Sequence, residues 1–105
     1  MAVPTFHENS GVEFTAEPED WQGGAALPTT LHWKLSCDTT SKVLQDWTSL
    51  TTGTSVTIEI PGSLNKIQDR SNQRETKVLL VVADKDTDRE YSEEFPYYVK
   101  RTARN

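Results

Sequence analysis

Cysteine is nearly absent from this 105-residue chain: Cys37 is the only one, so no disulfide forms within it. That argues against the bridge-stapled architecture of small secreted domains. Histidine is scarce as well, with His7 and His32 alone. No run approaches the roughly 20 apolar residues needed to cross a bilayer. Met1 to Ser10 hold neither the basic nor the apolar stretch of a secretory signal, so none is expected. The glycines at 23, 24 and 62 fit no phosphate-binding pattern. Apolar residues make up only 34% of the chain, against a usual value of about 45–50% that also counts glycine. A thin two-layer fold tolerates this, because each strand buries only alternate residues.

The length suits one domain. Its net charge of −5 is unevenly spread. Glu8, Glu13, Glu17, Glu19 and Asp20 all precede Lys34, the first basic residue, and the remaining acids match the bases in number. An acidic arm beside a neutral body disfavours nucleic acid or an anionic membrane as partner. The plain reading of that charge is solubility. The functional reading is an arm that docks on a basic surface.

Alternation of period two dominates the rest. Val12, Phe14 and Ala16 alternate with Glu13, Thr15 and Glu17 until Pro18. A connection rich in small residues follows and carries Trp21. Leu31, Trp33, Leu35 and Cys37 share one face of the clearest strand, with Trp33 the expected core tryptophan. Asp38 to Ser41 reads as a turn and Val43 to Trp47 as the returning strand. Thr48 to Ser55 reads as a loop, Val56 to Ile60 as a strand, and Ser63 to Ile67 as a helical turn whose Leu64 and Ile67 plug the core. Gln68 to Glu75 is so polar that it reads as an exposed loop. Val78 to Ala83 is a continuous apolar run, which suits a central strand or one buried face plus an interface. Tyr91, Phe95, Tyr97 and Val99 line one side of a last strand. The expected core is Leu31, Trp33, Leu35, Val56, Ile58, Ile60, Leu79 and Val81.

Six or seven short strands with turns every 8–12 residues fit an immunoglobulin-like Greek-key β-sandwich, with a small closed barrel as the competing all-β architecture. The expected division is an N-terminal arm over 1–11, the sandwich over 12–100 and a basic tail over 101–105.

No convergent acid, base or nucleophile is visible, so no catalytic residue and no cofactor is assigned. His32 lies on the outward side of its strand, and Cys37 ends an inward side, where a free thiol is ordinarily structural. Asp84, Asp86 and Asp88 alternate as calcium ligands do, but Arg89 and Phe95 stand where that loop needs glycine and glutamate, so no metal site is assigned.

Several stretches carry a resemblance. They are Pro28-Thr29-Thr30-Leu31-His32-Trp33-Lys34-Leu35, Gln45-Asp46-Trp47-Thr48-Ser49-Leu50, Asn72-Gln73-Arg74-Glu75-Thr76-Lys77-Val78-Leu79 and Phe95-Pro96-Tyr97-Tyr98-Val99-Lys100. Over residues 12–100 the chain resembles small tailed-bacteriophage virion proteins with an immunoglobulin-like domain. The resemblance implies a structural protein of a bacteriophage particle, assembled in the host cytoplasm. The expected role is a capsid decoration or cement protein on the outer capsid surface. The alternatives are a tail or head–tail connector component, or a non-viral carbohydrate- or protein-binding module. The expected partner is the major capsid protein or another virion protein, with self-association on the particle, and neither nucleic acid nor membrane. Candidate partner contacts are Glu8, Glu13, Trp21, Arg70, Arg74 and Tyr98.

Overall fold

A computed structural model describes residues 3–19, 24 and 27–101. Among them seven strands form two sheets: β1 (Thr5–His7), β2 (Val12–Ala16), β3 (Leu31–Cys37), β4 (Lys42–Leu50), β5 (Val56–Ile60), β6 (Arg74–Ala83) and β7 (Tyr91–Lys100). One sheet has the order β1-β7-β6-β3-β4; the other pairs β2 with β5. The chain leaves the larger sheet after β4, adds β5 to the smaller one, and returns to lay β6 beside β3. That is the immunoglobulin-like Greek key, with β6 at the centre of the five strands.

Alternation builds the core. Leu31, Trp33, Leu35 and Cys37 face inward from β3 and pair in register with Ala83, Val81, Leu79 and Lys77 of β6. Val12, Ala16, Ile58 and Ile60 close the core from the smaller sheet. Of the expected core residues only Val56 is partly exposed, at the end of its strand. Burying one large apolar side chain contributes about 1.5–3 kcal/mol, and this core is one contiguous cluster.

Four stretches differ from the sequence reading. Residues 5–7 of the expected arm form β1, an edge strand parallel to β7, because Phe6 packs edge-on against Tyr97 at 5.8 Å; three residues are too few to show a period. β4 continues through Leu50, since Thr48 and Ser49 occupy ladder positions opposite Trp33 and His32. Register shifts in this pair place extra residues in β4, as bulges do at a sheet edge. The helical turn is a 3-10 turn at Gly62–Leu64, one residue earlier than expected. A Cβ on Gly62 would lie 2.2 Å from the Asn9 carbonyl oxygen, so this close approach needs glycine. Finally, β6 begins at Arg74 and Glu75 is buried, so the polar loop ends earlier than its composition implied.

Candidate partner-binding surface

The outer face of the five-stranded sheet follows from the register. His32, Lys34 and Ser36 stand opposite Val82, Leu80 and Val78, which stand opposite Ser92, Glu94 and Pro96. Val78 and Leu80 are half-buried and Val82 is buried, although all three point away from the core. From the edge strand, Trp47 lies beneath two ammonium groups, Lys34 Nζ at 5.5 Å and Lys85 Nζ at 5.0 Å from its ring centre. At the far end the Arg74 guanidinium sits 4.1 Å over the Tyr98 ring. An apolar stripe thus runs between two cation–aromatic clusters. Arg74 and Val82 lie about 27 Å apart along the strand at the usual rise per residue. Each cation is held on its ring by the quadrupole, which keeps long side chains ordered at little cost. Val82 is covered, so the accessible part of this face is the half-buried Val78 and Leu80 with Trp47, Tyr98 and Arg74, and Trp, Tyr and Arg are the residue types that dominate contact surfaces.

The opposite outer face is acidic. Glu13 and Glu59 are direct cross-strand neighbours of β2 and β5, and both are exposed. Beside them the Thr15 and Thr57 hydroxyls are 3.3 Å apart. A shallow groove lined by Gly11, Val12, Glu13, Glu59, Ile60 and Pro61 runs along this side.

The candidate contacts fall into two pairs and two separate residues. Glu8 is buried, and Arg70 donates to both its oxygens, Nη1 to Oε2 at 2.6 Å and Nη2 to Oε1 at 3.3 Å. This hydrogen bonding holds the Arg70 guanidinium above its ordinary pKa. The two charges therefore tie the first strand to the 68–73 loop. Arg74 and Tyr98 meet on the outer face as described. Glu13 is exposed on the other face. Trp21 lies outside the described residues. Trp47, Lys34 and Lys85 were missed by sequence reasoning; the signal available was that Lys34 and Trp47 share an outward side of one hairpin.

A second missed feature is buried. Glu75, Lys77 and Asn65 have no more than 1% of their surface exposed. Lys77 Nζ donates to Glu75 Oε1 at 3.1 Å and to the Lys66 carbonyl at 2.8 Å. Glu75 also accepts from the Gln68 N–H at 2.6 Å, the Asp69 N–H at 2.9 Å and the Asn72 amide at 3.0 Å. Burial pushes the Glu75 carboxyl up, but these donors outweigh it and leave it at about 2. Tyr97 Oη donates to Asn65 Oδ1 at 2.5 Å, and burial raises the tyrosine's pKa. Cys37 is buried, with Sγ 3.7 Å from Glu75 Oε1. The cluster is closed to solvent, and its polar atoms are satisfied by loop backbone. Its chemistry is that of a clamp on residues 65–72.

Among the described residues no three His, Cys, Asp or Glu side chains gather as metal ligands. In the 84–88 turn, Asp84 Oδ1 accepts from the Thr29 and Thr30 N–H groups, and Asp86 pairs with Lys85 at 2.9 Å. Comparison of the chain with protein-family models, with curated proteins and with solved structures finds no match.

Proposed function

We propose that this chain is a structural protein of a tailed-bacteriophage virion that decorates the outer capsid surface and acts by binding, without turnover. The observation that carries a binding role is the outer face of the larger sheet, where the half-buried Val78 and Leu80 lie between two cation–aromatic clusters. The resemblance of residues 12–100 to phage virion proteins supplies the particle. A decoration protein meets two kinds of neighbour, the shell and other copies of itself. Modest contacts suffice for both, because a lattice repeats them and converts weak affinity into avidity.

The test is to delete the gene or strip the protein from purified particles and image what remains. The expected result is loss of density from the whole outer shell and bursting at a lower temperature. Intact shells that lose density only at the portal vertex or tail would overturn the decoration role and assign the chain to the connector.

A further inference from the structure

Two cross-strand pairs of like charge stand on opposite faces of this sandwich. Glu13 is directly opposite Glu59 on the outer face of the β2–β5 sheet. Arg74 is directly opposite Lys100 on the outer face of the five-stranded sheet. All four residues are exposed, and none has an ion-pair partner among the described residues. Like charges facing each other across a ladder weaken the sheet that holds them. Two such pairs of opposite sign in one small domain have complementary needs. Both sit at the same end of the molecule: Lys100 accepts from the Glu8 N–H, Asn9 bonds to Asn65, and Gly62 packs on Asn9 beside the end of β5. They point in opposite directions, so they cannot meet within one copy.

We propose that copies of this chain associate head to tail, with the Arg74–Lys100 pair of one copy seated on the Glu13–Glu59 pair of the next. The proposal rests on the reading of the outer face as a contact surface and names its partner. The geometry matches: directly opposed residues in an antiparallel ladder have Cβ atoms about 4.5–5.5 Å apart in both pairs. Arg74 is already ordered, since its guanidinium lies on the Tyr98 ring. A two-fold dimer through the larger sheet would leave the Glu13–Glu59 pair unanswered on the opposite face, whereas the head-to-tail contact meets both pairs. A head-to-tail contact is heterologous and therefore open-ended, giving rows or rings and not closed dimers. The small sheet presents only five residues from each of two strands. The contact is thus smaller than stable interfaces, and the isolated protein associates weakly, near millimolar concentration. On a lattice the same contact gains from avidity.

Sedimentation equilibrium of the full chain up to about 1 mM, with melting recorded in parallel, tests this. The wild type is expected to exceed its monomer mass of 11.8 kDa as concentration rises, and to lose that excess in high salt, because exposed pairs are screened. E13K/E59K and R74E/K100E are each expected to reduce association at least tenfold. An equimolar mixture of the two is expected to restore association, because one contact keeps its native pairs and the other carries the same pairs with their charges exchanged. E59K alone turns a repulsive ladder pair into an attractive one, so it should hold or raise the melting midpoint while weakening association. That opposition of signs separates an interface from mere loss of fold. A wild type that stays monomeric at 1 mM, or a mixture that restores nothing, overturns the proposal. Particle binding measured separately keeps its failure distinct from failure of the decoration role.

Discussion

Toward the end where β3 begins, the larger sheet turns Leu31, Trp33, Val81 and Ala83 to the core; toward the end where β6 begins it turns Cys37, Lys77, Glu75 and Tyr97. The strands and the alternation are the same, yet the first end is mainly apolar, with the partly buried Glu93 opposite Val81 as its exception, and the other holds a buried ion pair. At the apolar end stability comes from area removed from water and from close packing. At the charged end, two ions are taken out of water at a desolvation cost that only good geometry offsets. That geometry exists because Glu75 collects donors from a loop that would otherwise be free. The comparison teaches that burial here serves two purposes: one end condenses the fold, and the other ties a connecting segment to it.

The largest effects separate the ends by mechanism. Trp33→Ala is expected to cost about 3–5 kcal/mol through a cavity. Glu75→Ala is expected to cost a similar 3–5 kcal/mol, because it strands the Lys77 ammonium and two loop N–H groups. Denaturant melts of the single mutants do not tell these apart, but combinations do. Adding Lys77→Met should recover part of the Glu75→Ala loss, since the stranded charge is gone. The same addition to Trp33→Ala should be additive, because the two residues share no partner. Additivity in both cases would dissolve the distinction between the ends.

Acid sharpens it further. Glu75 has its carboxyl at about 2, below an ordinary value of 4.5. A group whose folded pKa is depressed contributes stability above its unfolded pKa and loses it as pH falls through the folded one. The Glu75 contribution, about 3 kcal/mol by linkage, is therefore complete above pH 4.5 and fades between there and about pH 2. The expected outcome is that amide protection in 66–72 collapses in this window before protection in β3 and β6. A Glu75→Gln protein should show a flatter profile over the same range. If the wild type and Glu75→Gln lose stability in parallel on acidification, the clamp is not where the proton acts.

The two ends also differ in how legible they are from sequence. Leu31, Trp33, Leu35, Ile58, Ile60, Leu79 and Val81 announce an inward side, because alternation of apolar and polar residues is the signal of a half-buried strand. Glu75 and Lys77 hold the same parity but carry charges, and a pattern read from hydrophobicity ends where they begin. Their burial depends on the Gln68 and Asp69 N–H groups as donors to Glu75 and on the Lys66 carbonyl as acceptor from Lys77, which is a property of the loop's path and of no single residue type. β1 was hidden for a different reason: its pairing is parallel and nonlocal, with a strand more than 90 residues away. The outer face was half legible. Arg74 and Tyr98 were named as contacts, but their meeting follows from the β6–β7 register, as does the pairing of Arg74 with Lys100. Glu8 and Arg70, both expected as partner contacts, hold each other.

The smallest effect probes the border between the ends. Tyr97 belongs to both: its ring packs among Phe6 and Phe14 at 5.8 and 5.4 Å, and its hydroxyl donates to Asn65. Asn65 in turn donates through its amide to the Ser10 carbonyl at 2.8 Å and accepts from the Asn9 N–H at 2.8 Å with its own carbonyl. Tyr97→Phe keeps the ring and its packing, so no cavity of side-chain size opens. It removes one donor and leaves a buried acceptor on Asn65, a loss of about 1–3 kcal/mol. Because Asn65 joins the 9–11 segment to the turn after β5, the effect should be local. Hydrogen exchange is expected to quicken at Asn9 and Asn65, while the β3–β6 ladder opens only with the lowered global stability. If exchange instead rises evenly along β6, the hydroxyl supports the whole core, and the two ends are one cooperative unit.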